Sequence, residues 1–144
     1  MSQSAVYVIF PDAELRSSLR FLLEAYGLTV FAFAKIEDFL AAHEPGSTGC
    51  LVLPRDMPGR SGTACLARLR RKALILPTVI VADVVSDRLS RRAARLGAVV
   101  VDSLAADTVV EAVRRALSAG PNRASDEGES GDDPPGVQPI RDFL

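Results

Sequence analysis

Solid apolar runs of strand length recur five times along the chain: "AVYVIF" (5–10), "LTVFAF" (28–33), "CLVL" (50–53), "TVIVA" (78–82) and "AVVVD" (98–102). Each is followed by a segment in which apolar residues return at helical spacing. After the first run they fall at Leu15, Leu19, Leu22, Leu23 and Tyr26, one face of a helix. Asp12 suits the N-cap and Gly27 the C-terminal stop. The later helical segments are "IEDFLAAH" (36–43), "TACLARLRRK" (63–72), "DRLSRRAARLG" (87–97) and "DTVVEAVRRAL" (107–117). Five βα units with nearly all-apolar strands predict a parallel sheet covered on both faces. Right-handed crossovers in so short a chain favour a flavodoxin-like (βα)5 doubly wound α/β fold of strand order 2-1-3-4-5. In that order the loops after the first and third strands, "FPD" (10–12) and "PRDMPGRSG" (54–62), open onto one crevice. Pro54 stands at its mouth, where reactive groups of such sheets usually sit.

Composition marks where the folded unit ends. The chain has 144 residues, 48% of them hydrophobic, enough for one core. From about residue 120, "GPNRASDEGESGDDPPGVQP" gives up periodicity for Gly, Pro, Ser and acids. The reading is a domain over 4–119 and an acidic tail over 120–144. The tail's apolar end, with Val137, Ile140, Phe143 and Leu144, reads either as a docking peptide or as a passive extension. Residues 1–119 carry 15 basic and 12 acidic side chains and the tail 2 and 6, behind a net charge of -1. A body so mildly basic argues against strong nucleic-acid binding. There is no charged-then-apolar leader and no run of membrane-spanning length, so the expectation is a cytoplasmic protein with no membrane partner.

The residues offer little chemistry. Cys50 and Cys65 are too few and too far apart for a redox or zinc motif and are expected as buried, reduced thiols. His43 is expected as an exposed residue at the end of the second helix, favouring its dipole. No phosphate-binding glycine loop, Ser-His-Asp set or metal-ligand cluster occurs. No catalytic, cofactor-binding or metal-binding residue is assigned, no cofactor is expected, and the protein is not read as an enzyme.

Three stretches carry a family likeness: "MPGRSG" (57–62) after the third strand, "LPTVIVA" (76–82) at the fourth and "RAARLGAVVVD" (92–102) into the fifth. Over residues 5–118 the chain resembles the receiver domain of two-component response regulators, in particular those that precede LuxR-type DNA-binding domains. The resemblance implies a phosphoacceptor aspartate three residues before the Met of the Met-Pro pair, which is Pro54 here. It implies an acidic pair for a divalent cation at the end of the first strand, matched by Phe10 and Pro11, with Asp12 as the only carboxylate nearby. The switch hydroxyl matches Ala82, the aromatic switch Val101, and the lysine-proline after the fifth strand Leu104 and Ala105. By this resemblance the chain is a degenerate pseudo-receiver. Asp56, two residues past Pro54, is the alternative acceptor, weighed against its loop position.

A receiver without phosphoryl chemistry still has surfaces. The resemblance implies association through the face of the fourth helix, fifth strand and fifth helix. There Arg88, Arg91, Arg92 and Arg95 lie opposite Asp102, Asp107 and Glu111, with Arg115 beyond. This pattern suits a two-fold contact and predicts a homodimer, although charged residues also occupy ordinary solvated helix faces. A sensor histidine kinase or a response regulator is the other partner the resemblance implies, with transcription regulated indirectly. Direct DNA binding is the weaker alternative, because no reading module is visible and the tail is acidic.

Overall fold

The computed structural model describes residues 5–44, 46, 48–72, 74–102 and 106–126, with the side chains of the last helix described between 107 and 118. In chain order the elements are β1 (Ala5–Ile9), α1 (Ala13–Ala25), β2 (Thr29–Phe33), α2 (Ile36–Ala42), β3 (Gly49–Pro54), β4 (Asp56–Met57), β5 (Arg60–Ser61), α3 (Gly62–Arg71), β6 (Thr78–Ala82), α4 (Asp87–Arg95), β7 (Ala98–Asp102) and α5 (Ala106–Asp126). The long strands form one parallel sheet in the order β2-β1-β3-β6-β7. This is the predicted flavodoxin-like order 2-1-3-4-5, counted over the five apolar runs. The two-residue strands β4 and β5 pair antiparallel with each other, Asp56 opposite Ser61 and Met57 opposite Arg60, and were not foreseen. A two-residue strand buries no face of its own, so no apolar alternation announces it.

Strict alternation along the strands divides the core in two. Val6, Val8, Cys50, Val52, Val79 and Val101 pack toward α1 and α5, whose Leu23, Val109, Val110 and Val113 meet them. Ile9, Leu51, Leu53 and Ile80 pack on the opposite face against Ile36 and Phe39 of α2, Leu66 and Leu69 of α3 and Ala93 of α4. Each fully buried Leu, Ile or Phe contributes roughly 1.5 to 3 kcal/mol. Both faces are covered, so the strands read as continuous apolar runs rather than as alternating ones.

Side-chain oxygens fix where the helices begin. Asp12 Oδ1 accepts from the amides of Glu14 and Leu15 at 2.9 and 3.0 Å, as its N-cap position predicts. Ser61 and Ser86 do the same for α3 and α4 through the amides of Ala64 and Leu89. Gly27, at φ 85° just past α1, is in the left-handed conformation that ends helices.

Helix α5 runs to Asp126, past the end of the apolar periodicity at Leu117 and through Gly120 and Pro121. Beyond Leu117 the sequence has no apolar stripe to signal a helix, and Gly120 and Pro121 by their intrinsic preference disfavour one. Leu104, Ala105 and the apolar end from Val137 to Leu144 lie outside the described residues. Among those described, no helix is long and apolar enough to cross a membrane.

Candidate functional site

The carboxyl ends of β1, β3 and β6 meet where the sheet's strand order reverses, which is where open α/β sheets bind their ligands. Pro54 is the last residue of β3, in register with Val81 of β6. The amides of Leu51 and Arg55 donate to the carbonyls of Pro77 and Val81. By alternation, residue 54 would direct its amide toward β1, and the β1–β3 register ends at Val8 and Val52. A proline here therefore omits one ladder bond at the place where pairing stops. Gly62 closes the far side, its amide donating to the Arg55 carbonyl at 2.6 Å. A Cβ at Gly62 would collide with the Pro54 carbonyl, so this close approach of α3 requires glycine.

The side chains around Pro54 are mostly apolar. Phe10 and Ala82 are buried, at 3% and 2% exposure, and Val101 is packed into the α1/α5 side of the core. Pro11 is half-buried and Asp12 exposed. The Asp12 carboxylate is committed to the α1 cap. Arg16, one turn further on, places a cation at the end of β1: its Nη1 donates to the Phe10 carbonyl at 2.7 Å and the Pro11 carbonyl at 3.3 Å. A divalent cation of the magnesium kind needs several oxygen ligands, carboxylates among them. One capping carboxylate beside a guanidinium does not fit that need, and among the described residues no group of three metal-ligating side chains comes together.

Asp56 is also accounted for. Its carboxylate accepts from Arg55 Nε and Nη2 at 3.2 and 3.1 Å, and its side chain is 73% exposed. Together with Asp83, also exposed, it forms the polar rim of a cavity of about 450 Å³ over the strand ends. Leu15, Ser18, Leu19 and Leu22 of α1 and Val109 of α5 form its walls, with Phe10, Pro54, Val81 and Ala82 beneath. Pro54, Phe10 and Ala82 come together at this cavity, as the strand order predicts. Leu15, Leu19 and Leu22 were legible only as the apolar face of α1, and Arg16 not at all, because helical periodicity does not say which part of that face stays open over the strand ends.

The remaining expectations divide. Cys50 and Cys65 are buried and free; burial pushes the Cys50 thiol up to about 12 and raises that of Cys65 as well. Both are therefore protonated and inert. His43 is not the exposed residue predicted. Its ring packs on Phe39 at 5.1 Å and edge-on against Tyr7 at 5.7 Å, and Nδ1 is buried with no hydrogen-bond partner. Burial lowers its pKa, partly offset by Glu44, so it does not serve the α2 dipole as a cation. On the face of α4, β7 and α5, Arg88, Arg91, Arg92, Arg95, Asp102, Asp107, Glu111 and Arg115 are all exposed. Glu111 and Arg115 pair within α5 at 3.1 Å.

Residues 6–116 match the response regulator receiver domain. The chain belongs to that family. This receiver is 37% identical over 94 residues to the transcriptional regulatory protein FixJ of Bradyrhizobium diazoefficiens, covering 65% of this chain and 46% of that protein. It is 32% identical over 127 residues to FixJ of Azorhizobium caulinodans, covering 88% and 59%. The chain thus spans about half the length of the curated relatives it matches. Among solved structures, the crystal structure of FixJ-N superposes with a TM-score of 0.71 at 29% identity, over 82% of this receiver and 96% of that chain. The response regulator StyR gives a TM-score of 0.76 at 26% identity, over 88% and 65%.

Proposed function

We propose that this receiver signals by protein association and accepts no phosphoryl group, a degenerate member of its family. The observation that carries the reading is Pro54 at the end of β3, the position that the family resemblance assigns to the acceptor aspartate. Around it Phe10, Pro11 and Ala82 offer neither metal-binding carboxylates nor a switch hydroxyl. Phosphoryl transfer depends on charge compensation at the transferring oxygens, and the one guanidinium at the end of β1 is bonded to main-chain carbonyls. The domain instead offers the α4–β7–α5 face to a second copy of itself, or to a sensor kinase or response regulator of a two-component pathway. It would thereby bear on transcription indirectly, in the cytoplasm. The relatives' own names, as transcriptional regulatory proteins, support that setting.

A second reading keeps the phosphoryl chemistry and moves it to Asp56, which borders the same crevice. Against it stands the Arg55 ion pair, which holds the carboxylate in the loop at high exposure.

Incubation with acetyl phosphate and magnesium followed by intact-mass measurement separates the two. The expected result is an unchanged mass, both for the natural chain and for Pro54→Asp, since a lone restored carboxylate leaves Phe10, Pro11 and Ala82 in place. One added phosphate on the natural chain overturns the proposal, and its loss in Asp56→Ala would assign the acceptor.

A further inference from the structure

The cavity over the strand ends remains to be explained once phosphoryl chemistry is set aside. Its volume, about 450 Å³, falls within the range of small-molecule sites, roughly 300 to 1,000 Å³. It is a pocket bounded by α1, α5 and three strand ends, and far too small to seat a macromolecule. Its floor and walls are apolar: Phe10, Leu19, Leu22, Pro54, Ala82 and Val109. At its edge Leu15 stands 53% exposed, a large apolar side chain at the first turn of α1 with half its surface in water. That exposure is relieved if something apolar fills the space beside it.

The rim decides the charge of the occupant. Arg55 is held by Asp56 and Arg16 by the carbonyls of Phe10 and Pro11. An anion would therefore have to displace the Asp56 carboxylate to reach Arg55, or main-chain hydrogen bonds to reach Arg16. The Arg55–Asp56 pair and the Ser18 hydroxyl nevertheless supply donors and acceptors for an uncharged group. We propose that this crevice binds a neutral, mainly apolar small molecule, its body against Leu15, Leu19, Leu22 and Val109 and one hydrogen-bonding end at the Ser18–Arg55–Asp56 rim. Such a ligand would occupy the place the family resemblance gives to the phosphoryl group, next to the loops after β3 and β6, and would provide an input to a receiver that has no phosphoryl switch. The inference rests on the reading that no phosphoryl chemistry occurs there. The two fail separately: labelling by acetyl phosphate overturns that reading, and the binding test below uses no phosphodonor.

The test is a fluorescence titration of the full chain with N-phenyl-1-naphthylamine, an uncharged apolar probe, accompanied by amide chemical-shift mapping. Saturable binding of one probe per chain is expected, with shifts at Leu19, Asp56, Asp83 and Val109. Ser18→Trp, which fills the cavity from α1, should weaken binding by about tenfold or more, the free energy of one lost apolar side-chain contact. Leu15→Lys repeats the test at a half-exposed position, so that its folding is secure. Phe21→Ala removes an apolar side chain that is 77% exposed on α1 and does not line the cavity. Its affinity should stay unchanged. Absence of saturable binding, shifts elsewhere, or a probe that binds Ser18→Trp and Leu15→Lys as tightly as the natural chain overturns the proposal.

Discussion

His43 carries a pH dependence that can be assigned to a single residue, because the chain has only one histidine. Its ring lies among Tyr7 and Phe39, and burial holds its pKa below the ordinary value of 6.5. The folded state thus binds the proton less readily than the unfolded state does. Stability is at full value above the unfolded-state pKa and declines as pH falls through 6.5 toward the folded-state value. Urea denaturation between pH 7.5 and 5.5 should therefore show a fall in stability that is shallower in His43→Phe, which keeps an aromatic ring in the cluster. Proton NMR of the imidazole should give a midpoint below 6.5. A midpoint at or above that value, or an equal slope in the variant, contradicts the assignment.

At the scale of elements, Arg70 links three pieces of chain that share no ladder. Nε and Nη2 donate to the carbonyl of Leu96, the C-cap of α4, at 3.0 and 2.7 Å. Nη1 and Nη2 reach the carbonyls of Leu74 and Leu76, between α3 and β6, each at 3.0 Å. The Leu96 carbonyl stands at a helix C-terminus, where the last turn leaves acceptors unpaired and the dipole is negative. Burial lowers the Arg70 pKa to about 10, yet the group stays charged at neutral pH, held by main-chain oxygen rather than by a carboxylate. Arg70→Ala removes all four hydrogen bonds and should cost about 2 to 4 kcal/mol in chemical denaturation, from leaving the Leu74 and Leu96 carbonyls without this donor at roughly 1 to 3 kcal/mol each, while Leu76 keeps Thr78 Oγ1 at 2.9 Å. Arg70→Lys should recover only part of it, since an ammonium lacks the planar fork. A variant that melts with the natural protein would show that water replaces the guanidinium.

For the whole molecule, the proposed self-association should be independent of magnesium and of phosphoryl analogues. Arg91 and Arg95 are exposed on α4 beside β7, an edge strand of the sheet. Reversing both to Glu should destabilise a dimer formed through this face by on the order of several kcal/mol, through like charges meeting Asp102 and Asp107 across the contact. Glu111 is expected to contribute less, because Arg115 of the same helix already neutralises it. Light scattering at tens of micromolar should report a dimer for the natural chain and a monomer for Arg91→Glu/Arg95→Glu. A natural chain that is monomeric, or a reversed chain that still pairs, moves the partner surface elsewhere.

The order of strands, the two-sided core and the presence of Pro54, Phe10 and Ala82 at one crevice were all decided by sequence. Apolar runs of strand length and helical stripes are local patterns, and handedness leaves few ways to connect them. The caps at Asp12 and Gly27 were legible for the same reason, each acting within a single turn of chain. Tertiary structure alone decided the rest. His43 lost its expected exposure to Tyr7, a residue 36 positions away. Arg70 found one of its three acceptors 26 residues on, at Leu96. The apolar pocket exists because α1 and α5 come together over the strand-end residues Phe10, Pro54, Val81 and Ala82, none of them charged. Spacing between packed elements is set by the sum of all their contacts, and no stretch of sequence contains it.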